Sequence, residues 1–188
     1  MENHLINLAL LLRADTDPSR MVYLATLASR LGFTAVHVEV PTGENLDPES
    51  INRLIAATEP GMLVVDDGAG ALGIVRSCDL AEVARVRAQL DASEDSRPLI
   101  VAVPVSIGRT INEAAARADR DPRFMGSGHP RECGIFGDFE DAQQQVLELA
   151  RVGCEVLLID IPDENDVADL LAQIRALVVG ATPALFND

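Results

Sequence analysis

The chain has 188 residues, enough for one domain of the usual ~100–200 residues, and 48% of them are hydrophobic, ample for one core. Aromatic residues are only 3% and tryptophan is absent, so that core is aliphatic. A net charge of −15 argues against nucleic acid and anionic membranes, which demand a basic face, and all 15 cations are arginines, which excludes a P-loop lysine, a Schiff-base lysine and a lysine general base. In chain order, an apolar run over 5–12 predicts the first strand. Asp17-Pro18 is an N-cap followed by Pro at the first helical position, opening a helix to Leu31 that Gly32 ends. Residues 33–40 predict the second strand, broken by Pro41-Thr42-Gly43, and Asp47-Pro48 repeats the same helix start, running to about Thr58. Pro60-Gly61 turns the chain into a strand over 62–66, followed by the loop Gly68-Ala69-Gly70 and a sixth, weaker strand over 72–75.

Asp79 with Glu82 forms a capping box for a helix to about Leu90, and the polar stretch 91–97 reads as a loop. Residues 99–105 form a strand, and Thr110 with Glu113 opens a further helix that fades near Arg120. Residues 121–133, rich in Pro, Gly and charge, are the longest irregular stretch. Asp138 caps the next helix with Asp141 three residues on, and Ala142, Val146, Leu149 and Ala150 form its apolar stripe. Gly153 stands at its C-terminal cap, residues 155–161 read as a buried strand, and a last helix covers about 164–179. Strands and helices alternate throughout, which predicts a single α/β domain over 1–188 with a mainly parallel sheet. A complete eight-fold barrel takes ~250 residues, with ~200 near the lower limit, so on physical grounds alone an open doubly wound parallel sheet fits the length.

No apolar run reaches the ~18–20 residues of a membrane span. The acidic start without an A-x-A site reads against a signal peptide, so the expectation is a cytoplasmic protein. Cys78, Cys133 and Cys154 are odd in number and lack C-x-x-C spacing, which argues against a disulfide scaffold or a structural zinc. Cys133 and His129 lie close in sequence, but no spacing fixes an activating base for the thiol.

Four segments carry a family resemblance in order. Leu31-Gly32-Phe33-Thr34-Ala35-Val36-His37-Val38 is similar to the L-G-F-D-[ST]-V-W-V run into the second strand of the bacterial-luciferase-like flavin monooxygenases. Residues 57–70, ATEPGMLVVDDGAG, are similar to that family's L-[ST]-G-G-R-x-x-L-G-x-G-A-G segment, and Thr110, Glu113 and Ala114 match its T-x-x-E-A helix start. Gly137 to Ala142 and Val152-Gly153-Cys154 resemble the G-[TS]-P-E-E-V and A-G-V signals around its last helix. The resemblance implies a contracted (β/α) TIM-barrel-like fold lacking two or three βα units. It also implies a flavin-dependent oxidoreductase, monooxygenase-like, with FMN or a deazaflavin (F420) carrying hydride or oxygen chemistry. The chain departs from the family in lacking its His after the second strand, and in having Met62 at the arginine and Asp66 at the first glycine of the Gly-rich segment. Those departures favour the alternative, a non-catalytic luciferase-like subunit or small-ligand binder without flavin. A third reading is an unrelated open-sheet α/β enzyme.

In parallel α/β folds the chemistry sits at the carboxyl ends of strands. Four ends carry polar groups here: Arg13, His37 with Glu39, Asp66-Asp67, and Asp160. His37 and Glu39 are two apart and share one strand face. On the barrel interior they would orient a flavin or substrate and move a proton; as core residues they would be a satisfied histidine and its partner. Gly68 and Gly70 would let a ligand approach the backbone closely, or simply form a tight turn. The amides of Gly126, Ser127 and Gly128 with Arg131 would make a phosphate nest, or a bare surface loop. Asp160, Asp163, Glu164 and Asp166 read as a solvated helix start, and no metal is expected. A barrel with too few units leaves open edges and apolar surface, from which a homodimer is expected.

Overall fold

A computed structural model describes residues 6–13, 15–40, 47–58, 63–66, 74–93, 96–125, 128–161 and 167–181. The elements are β1 (Asn7–Arg13), α1 (Pro18–Arg30), β2 (Ala35–Glu39), α2 (Pro48–Ala57), β3 (Leu63–Asp66) and β4 (Ile74–Val75), then α3 (Leu80–Ala92), β5 (Ile100–Ile107) and α4 (Ile111–Ala118). A 3₁₀ turn at Pro122–Phe124 and the one-turn α5 (Pro130–Cys133) lead to β6 (Ile135–Gly137), α6 (Phe139–Arg151), β7 (Val156–Asp160) and α7 (Val167–Ala181). The helix starts follow their local chemistry. Asp17 accepts from the Ser19 and Arg20 amides, Asp47 from Glu49 and Ser50, and Asp138 from Asp141. Gly32 and Gly153 close α1 and α6 at φ of 77° and 95°, a region that side chains disfavour.

All strand pairs are parallel, in the order β3-β2-β1-β7-β5-β4, with β6 added to the far end of β5. Leu99 O accepts from Glu155 and Val156 on the β7 side. By alternation the Gly108 N–H, which donates to Gly137 O, points to the opposite side, so β6 continues the edge that β4 begins.

The two faces of the sheet differ. On one, Leu8, Leu10, Leu12, Val36, Val38, Val101, Val103 and Ile159 form one large core with buried residues of α1, α2, α3, α6 and α7. On the other, Ala9, Leu11, Ala102 and Leu158 pack, among the described residues, with strand residues such as Ala35, Ile74 and Val156. A doubly wound sheet needs helices on both faces; here five helices share one face and the strands line an interior of their own. Among the described elements, α4 and the 3₁₀ turn lie on the interior side, over the end of β5, where Ala114 and Ala118 pack against Phe124 and Phe136 and Ser106 Oγ donates to Ala114 O at 2.8 Å.

Curvature follows from one ion pair. Arg76, just past β4, reaches Glu39 at the end of β2. Four strand spacings of ~4.8 Å separate β2 from β4, about 19 Å on a flat sheet and beyond the reach of one side chain. The sheet is therefore curled, an α/β parallel sheet of the TIM-barrel kind. The open doubly wound alternative is overturned.

One further expectation is corrected, and one strand is added. The stretch 121–133 is not irregular throughout, since it contains the 3₁₀ turn and α5, and Ile135–Gly137 is a strand. Each is three or four residues long, too short for a periodic signal. The outward edge of β6 is finished by a side chain: buried Gln145 of α6 accepts from the Phe136 amide at 3.1 Å and donates to the carbonyls of Gly134 and Arg131 at 2.9 and 2.6 Å.

Candidate functional site

The pairing register lays the interior out in rows. Val64, His37, Leu11, Asp160 and Pro104 occupy one level across β3, β2, β1, β7 and β5, and Asp66, Glu39 and Arg13 the level two residues on. Through Arg13, Glu39 and Asp160 the carboxyl end of this interior gathers charge from strands far apart in sequence. Arg13 Nη2 meets Asp160 Oδ2 at 2.9 Å. Arg123, from the 3₁₀ turn, donates through Nη1 to both Oδ1 and the carbonyl O of Asp160, each at 2.9 Å. Its Nε and Nη2 hold Asp121 at 2.8 and 2.5 Å, a two-point guanidinium–carboxylate pair. Burial pushes the Asp121 carboxyl up, but the Arg123 bonds outweigh it and hold the group below its usual range.

Above β1 and β7 this network walls a cavity of about 530 Å³, within the ~300–1,000 Å³ range of small-molecule sites. Leu11, Leu12 and Leu24 form its apolar part. Four arginines (13, 20, 120, 123) and four aspartates (15, 17, 121, 160) surround it. Arg120 donates through Nε to Ala116 O at 2.7 Å, and its terminal nitrogens have no partner among the described residues. Leu11 floors the cavity with His37 and Asp160 as its partners in the same row.

Of the residues singled out from sequence, Arg13 and Asp160 are joined directly. His37 and Glu39 lie on one interior strand face, with His37 9% exposed and Glu39 paired to Arg76. Gly68, Gly70, Gly126, Ser127, Asp67, Asp163, Glu164 and Asp166 lie outside the described residues. Gly128 and Arg131 flank the start of α5, before β6 rather than at a strand's carboxyl end, and Arg131 lies 3.9 Å from Asp141. His129 caps α5 through Nδ1, which accepts from the Arg131 amide at 3.2 Å, and its ring meets Phe136 edge-on. Cys78 and Cys154 are buried, burial pushing both thiols up, Cys154 to about 12. No cluster of three or more potential metal ligands exists among the described residues.

Sequence reasoning missed Arg120, Asp121 and Arg123. A signal was present, since Asp121-Pro122 repeats the Asp-Pro helix start of residues 17–18 and 47–48, and Asp121 does cap the 3₁₀ turn.

No family model and no curated protein matches this sequence. Among solved structures, the fold is similar to the coenzyme F420 dependent tetrahydromethanopterin reductase from Methanopyrus kandleri, with TM-score 0.60 and 10% identity over 94% of this chain and 99% of that one. It is also similar to apo-MsnO8, with TM-score 0.58 and 15% identity over 93% and 98%. At these identities the likeness is one of fold, and the fold resembles the luciferase-like TIM barrels. No described helix is long and apolar enough to cross a membrane.

Proposed function

We propose that the chain is a luciferase-like oxidoreductase that takes FMN or a deazaflavin of the F420 type into the cavity above β1 and β7. The observation that carries this reading is Arg120, a cation whose terminal nitrogens have no partner among the described residues, lining a cavity of ligand size in a chain whose overall charge repels anions. The residues present fit such a group: Arg120 with Arg20 would hold its phosphate, and Leu11, Leu12 and Leu24 would receive its ring system. When bound, it supplies hydride or oxygen chemistry. The chain's own part is to bind and orient. Arg13 and Arg123 fix the Asp160 carboxylate at the cavity wall, and His37, beside Leu11, stands where it would move a proton. The test is titration of the purified protein with FMN and with F420, read by absorbance and fluorescence. Saturable binding of either, weakened about tenfold by Arg120→Ala, is the expected result.

A second reading, a binder without flavin, is favoured by the charge balance of the same cavity. Its four arginines face four aspartates, and Arg13 and Arg123 are already committed to carboxylates. Failure of both cofactors to bind would select it.

A further inference from the structure

We propose a second ligand site on the other side of Asp121, one that takes a small monoanion with an apolar body, of the aryl-carboxylate class. A cavity of about 420 Å³ opens at the carboxyl end of β5, between α4 and the first turns of α6 and α7. Its apolar wall is Phe139, Val167 and Leu170. Phe139 is the first residue of α6 and is 42% exposed, an aromatic face presented to the opening.

Several polar groups around this cavity are engaged, while the whole Arg109 guanidinium is without a partner among the described residues. Ser106 Oγ donates to Ala114 O, Arg117 donates to Ile107 O, and Asp121 is held by Arg123. Arg109 uses its backbone N–H on Glu113 Oε2 at 2.9 Å, but its guanidinium has neither a hydrogen bond nor an ion pair among the described residues. A Cβ at Gly108 would lie 2.6 Å from both the Ala114 amide nitrogen and the Thr110 carbonyl, so the chain is packed there without slack. Arg109 is therefore a cation lining the same cavity as an aromatic ring, the pairing that receives one carboxylate on an apolar body. Asp169 on the same wall opposes a second negative charge, which selects monoanions over dianions. This site stands whether or not the cavity above β1 holds a cofactor; the two cavities share only Asp121.

The test uses the full ¹⁵N-labelled chain titrated with 3-phenylpropionate, and with 3-phenylpropanol, which keeps the body and removes the charge. Saturable shifts of the Gly108, Arg109 and Leu170 amides are expected with the acid, and binding about tenfold weaker with the alcohol. Arg109→Gln should remove the preference for the acid without changing affinity for the alcohol, and Phe139→Ser should weaken both. Each variant's dispersed spectrum reports that it is folded. The proposal is overturned by absence of saturable shifts up to millimolar acid, by shifts confined to Arg13 and Arg20, or by an unchanged preference in Arg109→Gln.

Discussion

Arg123 grips Asp160 by both its carboxylate and its backbone carbonyl, across 37 residues of chain, and so pins the 3₁₀ turn to the end of β7. Asp160 also receives Arg13, so one carboxylate holds two cations. Asp160→Ala removes the shared acceptor and leaves both guanidiniums facing each other. Arg13 is half exposed and relaxes into water, whereas Arg123 is largely buried. The expected loss is about 2 kcal/mol, measured by urea unfolding, with Arg13→Ala costing less than Arg123→Ala.

Acid should weaken the same region. The folded-state pKa of Asp121 lies below its unfolded value, so its contribution is present above pH ~4 and is lost as pH falls through the lowered folded pKa. Unfolding free energy should decline below pH ~4, and in Asp121→Asn that decline should be shallower. An equally steep acid limb in the variant would assign the loss to other carboxylates.

Gly134 has an extended backbone that any residue could adopt, but no room for a side chain. A Cβ there would press on the Pro104 carbonyl oxygen and sit 2.8 Å from the Phe124 ring. Gly134→Ala should cost about 1–3 kcal/mol by thermal or urea unfolding, because a backbone oxygen cannot swing aside.

His37 separates an active role from a structural one. If it serves the cavity floored by Leu11, His37→Ala weakens FMN or F420 binding, or turnover, and leaves the melting temperature unchanged. Lowered thermal stability with unchanged ligand affinity would make it a core histidine. Cys133→Ser should alter neither.

Much of the architecture was legible because it is locally encoded. The Asp-Pro steps at 17–18 and 47–48 mark the starts of α1 and α2, and Gly32 and Gly153 mark helix ends by a backbone geometry that few residues tolerate. Barrel against open sheet was not legible from periodicity. Both faces of β1 are apolar, and only the contrast between Leu8, Leu10 and Leu12 among helices and Ala9 and Leu11 among strands tells them apart. Arg13 and Asp160 each announced themselves at a strand end. Their pairing, across 147 residues, depends on β1 lying beside β7, a closure that no local spacing specifies.

The Gln145 amide at the outer side of β6 has a consequence for how the molecule behaves in a crowded solution. An unpaired strand edge is a template onto which a foreign strand can lay itself, extending one sheet into the next molecule. Here the Phe136 donor and the Gly134 acceptor that a newcomer would need are already saturated by a side chain rooted in α6. An incoming strand would have to evict a buried amide with three bonds of its own before forming its first ladder contact. The flank of the sheet that ends in β6 is thereby barred to runaway growth, by one residue and without a proline or a lysine.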